Sequence, residues 1–444
     1  MHISPRLHVD KETPSTLSLS VVSHVFQMNK KRDLFEDIEL YDEVTEIIPF
    51  SMGAPGPVAL SECNAIMMEA TAKALEDRSE DRYIFQYGPR QGDPKFRENL
   101  ANFLCKEYED SKISSDDLFV TAGATQGLHL VTTVMFDKDI PIFVEDPSYF
   151  IAIKILTKDL GMKVIPVSTD GGGIITEEFE RLLLKERQEN GVAENKKSPF
   201  TAMLYTMPTI HNPLGCSLSP ERCKHLIRLA RTYDILLFTE DVYNILYYHG
   251  KPPKRLLSYD ERDDPQYKGN VLSNCTFSKI LAPGMRLGWI EAGERIIKIV
   301  TESNVTWSGG CFNHYTSRLV STALQMGLLS QHLKTLRKLY GDKMKFACDS
   351  LKKNLPETVK INPPDGGFFI WITFPETFDC AALAKLCASK YGLNFILGTS
   401  SSPTGSFKNC IRLSISYCEM NELKVGLDKL HAAINEQMKS TSAS

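Results

Sequence analysis

The sequence predicts an α/β fold, with a large domain built on a mostly parallel central sheet and a smaller α+β C-terminal domain. Two observations carry this expectation. Between Leu118 and Phe277, short apolar runs alternate with segments of helical periodicity, the pattern of a sheet fed by crossover helices. After about Val320 the alternation gives way to a long helical stretch and two separated strand-like runs.

The runs Leu118–Thr121, Pro141–Val144, Met203–Thr206, Ile235–Phe238 and Asn270–Phe277 are short, apolar and rich in β-formers, as buried strands require. The helices predicted between them include Thr125–Phe136, Tyr149–Asp159 and Pro220–Tyr233, and an earlier helix covers Asn64–Leu75. Residues 15–37 read as an irregular amphipathic helix and a charged turn. Lys185–Ser198 and Gly250–Lys268, rich in charge and proline, read as solvated surface insertions. In the C-terminal part we expect a helix over Ser330–Leu351, a strand around Gly366–Phe374, a helix over Ala381–Tyr391 and a strand over Cys410–Ser416. A mobile Ser/Gly loop, Ser400–Ser406, is expected between them. These readings divide the chain into an N-terminal helical segment (1–48), a large domain (49–325) and a small domain (326–444).

Composition narrows the function. The formal charge of −4 and the lack of a long basic run argue against a nucleic-acid partner. No apolar run is long enough to span a membrane, and Met1–Arg6 shows no secretory pattern. None of the eleven cysteines forms a CxxC pair, so no metal site is expected. Scattered thiols of this kind suit a reducing compartment, and the expected location is cytoplasmic.

The chemistry concentrates at the ends of the predicted strands, where α/β sheets bind ligands. The fifth run leads into Thr276-Phe277-Ser278-Lys279-Ile280-Leu281-Ala282-Pro283-Gly284-Met285-Arg286. A lysine walled by apolar residues loses its proton more readily and can form a Schiff base. Thr276, Ser278 and Arg286 are suited to hold a phosphate beside it. Together they suggest a pyridoxal 5'-phosphate (PLP) site on Lys279. The first run ends in Thr121-Ala122-Gly123-Ala124-Thr125, which is either an anion-binding helix start or a plain strand-to-helix turn. The second ends in Glu145-Asp146-Pro147-Ser148-Tyr149, whose tyrosine either stacks on a flat ring or fills the core. The third ends in His211-Asn212-Pro213, an amide donor or an ordinary turn, with His211 read as a turn residue that no carboxylate pairs with at metal spacing. The fourth ends in Glu240-Asp241-Val242-Tyr243, acids that either pair with a cation or simply open a loop.

These five motifs in this order resemble the class I/II aminotransferases, the fold-type I PLP-dependent enzymes. The likeness runs from about Pro49 to Tyr417 and is greatest to the 2-aminoadipate and aromatic aminotransferase branch. That branch is also similar to the catalytic domains of GntR-type regulators, but the stretch before Pro49 is too short for a DNA-binding module. The resemblance implies that Lys279 is the Schiff-base lysine that later moves the substrate's α-proton. It implies phosphate contacts from Arg286, Thr276, Ser278 and the backbone of Ala124 and Thr125, stacking by Tyr149, and donors to the ring oxygen from Asn212 and Tyr243. Tyr87, in Gln86-Tyr87-Gly88-Pro89, would reach the phosphate of a partner subunit, which implies a homodimer with shared active sites. Arg412 would grip the substrate carboxylate near Gly53 and Asn212. The acid that protonates the pyridine nitrogen is usually an aspartate three residues before the tyrosine. Here that position is Glu240, with Asp241 next, and spacing favours Glu240. The implied reaction moves an amino group from an aromatic, aliphatic or 2-aminoadipate-like L-amino acid to a 2-oxo acid such as 2-oxoglutarate. A lyase on the same fold and a non-catalytic interaction protein are the alternatives.

Overall fold

The structure, a computed structural model, describes residues 47–76 and 81–443. The amphipathic segment expected at residues 15–37 lies outside them.

Eight strands form the main sheet: β2 (Leu118–Thr121), β3 (Pro141–Asp146), β4 (Lys163–Asp170), β5 (Gly173–Ile174), β6 (Met203–Thr206), β7 (Leu236–Glu240), β8 (Val271–Thr276) and β9 (Gly288–Ala292). Their spatial order is β2-β9-β8-β7-β6-β3-β4-β5. Strands β4, β3, β6, β7 and β8 run parallel, and β9 is inserted antiparallel between β8 and β2. Since β9 opposes both neighbours, β2 runs the same way as β8. The carboxyl ends of β2, β3, β6, β7 and β8 therefore open on one edge.

Both faces of this sheet are covered, so the side chains of its central strands β6, β7 and β8 are all buried. Successive side chains alternate between two cores. Ile142, Val144, Tyr205, Leu236, Phe238 and Leu272 pack with Leu128 and Val131 of α3 (Ala124–Met135) and Ile296 of α7 (Glu294–Thr301). Phe143, Leu204, Leu237 and Val271 pack on the other face with Phe179 of α5 (Thr176–Asn190) and Leu226 of α6 (Pro220–Tyr233). Helix α6 starts on Ser219, whose hydroxyl accepts from Arg222 N, followed by Pro220 at the first helical position.

A third core joins α1 (Pro57–Glu76), α2 (Pro94–Tyr108), α8 (His314–Gln325) and α9 (Leu328–Asn354) to a smaller sheet. That sheet has the order β10-β11-β14-β13, from β10 (Lys360–Ile361), β11 (Phe369–Thr373), β13 (Ile396–Leu397) and β14 (Cys410–Ser414). The first described strand, β1 (Ile48–Pro49), pairs in parallel with β12 (Leu393–Asn394), and Ser414 N donates to Phe50 O at 2.8 Å. Residues 48–52 thus run beside the C-terminal sheet.

Several expectations change. Helix α5 extends through Lys185–Asn190, so the charge of that stretch lies on a helix rather than wholly in a loop. The 250–268 stretch is not merely solvated: Arg255 is buried and ion-paired with Glu291. Only Phe150–Lys154 of the predicted 149–159 helix is α-helical, and a wider π turn follows. The Ser400–Ser406 stretch, expected to be a mobile loop, is tied to the end of β3. Ser148 N donates to Ser401 O at 2.8 Å, and Thr404 Oγ1 donates to Asp146 Oδ2 at 3.1 Å.

Candidate active site

The alternation of β7 decides where its two terminal acids go. Glu240 has the parity of Leu236 and Phe238 and faces the α3 side, whereas Asp241 has the parity of Leu237 and faces the other. Asp241 Oδ2 accepts from Thr239 Oγ1 at 2.6 Å and Ser273 Oγ at 2.5 Å. It does not join the lysine. Glu240 Oε2 instead accepts from Asn274 Nδ2 at 3.2 Å and from Tyr205 Oη at 3.4 Å. Burial pushes its carboxyl up to about 8; Asn274 and Tyr205 oppose that shift, Asp241 adds to it, and the Lys279 charge opposes it.

Lys279 follows β8 and is partly open to the cleft. Its Nζ donates to Gly53 O at 2.7 Å and lies 5.8 Å from the Phe368 ring centre. Burial brings the amine down to about 8; Arg412 adds to the shift, Glu240 opposes it and Arg286 adds to it. An amine whose pKa is lowered in this way loses its proton more readily, as a nucleophilic lysine must.

Arg412, on β14, is 2 % exposed, so its guanidinium must be held by fixed partners. Nη1 donates to Asn212 Oδ1 at 3.2 Å and Nη2 to Ser51 O at 2.7 Å. Phe369 lies under it at 4.1 Å. Because Asn212 Oδ1 accepts from Arg412, its Nδ2 remains as a donor. Tyr243 is buried edge-on to Phe368 and Phe369 at 5.2 and 5.6 Å. The Tyr149 hydroxyl is pushed up to about 12, by burial first and then by the Glu240 charge. Gly53 has no room for a side chain: a Cβ there would lie 2.6 Å from Phe369 Cζ.

The start of α3 supplies a cradle for an anion. Its N-cap, Gly123, takes φ +96°, which suits glycine, and no side chain caps this N-terminus. The first-turn N–H groups of Ala124 and Thr125 are left for a ligand. The Arg286 guanidinium folds over Gly123, with Nη2 donating to Ala122 O at 3.3 Å. Thr276 Oγ1 and Ser278 Oγ lie 2.9 Å apart beside it. Tyr87 stands at the surface, 79 % exposed, beside Gly309.

Two partners were missed in the sequence. Asn274, in the middle of β8, links Glu240 to the first turn of α3, since its Nδ2 also donates to Ala124 O at 2.9 Å. An asparagine inside a β-rich run was the available signal. The second is Glu145. His211 does have a carboxylate partner: its Nε2 lies 3.0 Å from Glu145 Oε2, and both side chains are buried. The pairing joins residues far apart in sequence, so no local spacing announces it. Among the described residues no metal-binding cluster occurs.

A nucleophilic lysine, a buried acid and an uncapped helix start beside an arginine fit PLP: an aldehyde carrier, a ring nitrogen and a phosphate each find a chemical counterpart. A central sheet with β9 reversed, facing a smaller C-terminal sheet, defines a fold-type I PLP-dependent enzyme. The sequence pattern of the class I and II aminotransferases matches residues 58–430, and the chain belongs to that family. It is similar to aromatic-amino-acid aminotransferase 1 of Thermococcus litoralis, at 28 % identity over 99 % of this chain and 100 % of that one. Among solved structures it is similar to the kynurenine aminotransferase of Pyrococcus horikoshii, with a TM-score of 0.77, 27 % identity and 95 % of each chain covered. The multiple substrate aminotransferase of Thermococcus profundus gives 0.79 and 27 %, covering 94 % of this chain and 99 % of that one. The chain is therefore a PLP-dependent aminotransferase.

Proposed function

We propose that the enzyme takes the amino group of an aromatic, aliphatic or 2-aminoadipate-like L-amino acid and passes it to a 2-oxo acid such as 2-oxoglutarate. The observation that carries this reading is the convergence on Lys279 of Glu240 and Arg412, each of whose charges acts on the lysine, with Gly53 O at its Nζ. Bound PLP would supply an electron sink for charge developing at the substrate's α-carbon.

The chain's own residues do the rest. Lys279 Nζ would hold the cofactor and is the base placed to take and return the substrate's α-proton. Glu240 would place its carboxyl against the pyridine nitrogen and favour its protonated form. Asn212 Nδ2 and the Tyr243 hydroxyl would donate to the ring oxygen, and Tyr149 would cover the ring face. Arg286, Thr276, Ser278 and the amides of Ala124 and Thr125 would hold the phosphate. Burial brings Arg412 down to about 10, so it stays charged at neutral pH and holds the α-carboxylate beside Gly53. An aromatic or aliphatic donor is favoured by the rings of Phe369 and Phe150, 4.1 and 5.5 Å from the Arg412 guanidinium. The names of the similar aromatic-amino-acid and kynurenine aminotransferases support the same choice.

The working unit is a cytoplasmic homodimer in which Tyr87 reaches the partner's phosphate site. Exposed aromatic side chains at Phe85 (73 %), Tyr87 (79 %) and Trp307 (60 %) support a second copy on this face. The large domain spans residues 49–325 and the small domain 326–444.

The test is a panel of amino donors read by the visible absorption of the bound cofactor, followed by product analysis. A 2-oxo acid product and a band shift lost in Lys279→Ala are expected. Release of ammonia and pyruvate would replace this reading with a lyase.

A further inference from the structure

Behind Asn212, on the side away from the cleft, lies a buried polar pair that the proposed chemistry does not use. Glu145, near the end of β3, is fully buried and accepts three hydrogen bonds. Thr206 Oγ1 reaches Oε1 at 2.8 Å, Met207 N reaches Oε2 at 2.8 Å, and His211 Nε2 lies 3.0 Å from Oε2. The other ring nitrogen is also occupied: Leu214 N donates to His211 Nδ1 at 3.3 Å. Nδ1 is thus the acceptor, and the imidazole carries its hydrogen on Nε2 and gives it to Glu145. His211 backbone atoms close the same turn, with His211 N donating to Cys216 O at 2.8 Å and Gly215 N to His211 O at 2.7 Å. The pair therefore fixes β3, the end of β6 and both sides of the 211–216 turn at one point.

That turn carries one residue into the cleft. Asn212 Oδ1 accepts from Arg412 Nη1, and the opposite nitrogen of Arg412 is held by Ser51 O. A guanidinium anchored at both ends has one orientation, whereas one anchored at a single end can swing. Nε of Arg412 is buried without a partner, so Asn212 and Ser51 are what aim the group. We infer that Glu145 and His211 are positioning residues for substrate carboxylate recognition, acting through Asn212 on the orientation of Arg412. Neither touches the substrate. The carboxylate of Glu145 fixes the imidazole, the imidazole fixes the turn, and the turn fixes the amide that aims the guanidinium. This rests on the proposed role of Arg412.

The test uses the PLP-loaded enzyme and 3-phenylpropionate, which offers a carboxylate and no amine, with binding read from the visible band. Arg412→Ala is the reference and should abolish binding; retained binding there overturns the role of Arg412 and this inference with it. With that reference in place, His211→Leu should weaken 3-phenylpropionate at least ten-fold. His211→Gln should recover most of the loss, because its amide N–H can still reach Glu145. Glu145→Gln should fall between them and serves where His211→Leu does not fold. A purely structural pair predicts a lower melting temperature with unchanged 3-phenylpropionate affinity in His211→Leu and Glu145→Gln. That result, or a His211→Gln protein as weak as His211→Leu, overturns the inference.

Discussion

Asn274 Nδ2 donates to Glu240 Oε2 at 3.2 Å, across paired positions of β8 and β7. The same amide nitrogen reaches Ala124 O, so one side chain connects the acid at the strand end to the uncapped helix start. On the proposed placement, the ring nitrogen and phosphate of a bound PLP would thereby be set relative to each other by the protein alone. Removing the amide in Asn274→Ala should weaken PLP about ten-fold, the size of one strong neutral hydrogen bond. Gly127→Ala should act similarly, because a Cβ there would run into Asn274 Oδ1. Titration of the apoprotein with PLP, followed by absorbance, checks both; affinity equal to wild type in both variants would refute the connection.

The two neighbouring acids should separate cleanly. Glu240→Gln removes the ionisable group on the cleft side and should cost kcat about 100-fold or more. Asp241→Asn should keep most of the turnover, since its carboxylate faces Thr239 and Ser273. It should instead destabilise the fold by about 1–3 kcal/mol, because a buried acceptor is replaced. Steady-state rates and thermal melts of the two proteins decide it, and the opposite ranking of rates would place the functional acid at 241.

Glu240 also makes a pH prediction for the cofactor-free protein. Burial holds its carboxyl at about 8 in the folded chain, against an ordinary value of 4.5. Between those values the folded chain keeps a proton that the unfolded chain has lost. Unfolding therefore releases a proton, and the contribution of Glu240 to stability is full below about 4.5 and lost as pH rises through about 8. The change should be a few kcal/mol, and Glu240→Gln should remove it. Denaturant melts of apoprotein at a series of pH values give the slope; identical slopes in wild type and variant would exclude this assignment.

How far the sequence carried depends on the range of each interaction. Strands β2, β6 and β8 and helix α6 were legible because buried strands and an amphipathic helix repeat at fixed local periods. The strand-end motifs were legible because small and polar residues interrupt apolar runs there. Strand β4 was missed because its partly exposed alternation, Lys163 to Asp170, is interrupted by Pro166. Strand β9 was missed because Gly288–Ala292 is short and begins directly behind the lysine loop. Partnerships such as Glu145 with His211, 66 residues apart, and Arg412 with Asn212, 200 apart, leave no local signature. Parity along β7 resolved Glu240 from Asp241, but only once the cores on the two faces were known.

Arg412→Lys tests the planar geometry of the carboxylate site. The guanidinium reaches Asn212 and Ser51 at once and lies against Phe369, which an ammonium on a flexible stem cannot reproduce. Lysine keeps the charge, so electrostatic attraction of the donor survives while its orientation is lost. The expected outcome is a rise in donor KM of about ten-fold or more, equivalent to about 1.4 kcal/mol, with PLP content unchanged. The amine that replaces the guanidinium is free to titrate, so the KM of Arg412→Lys should also rise at alkaline pH where the wild type still binds. Kinetics with one donor at neutral and alkaline pH measure both effects. A KM equal to wild type at both would mean that charge alone, and not the fixed plane held by Asn212 and Ser51, recognises the carboxylate.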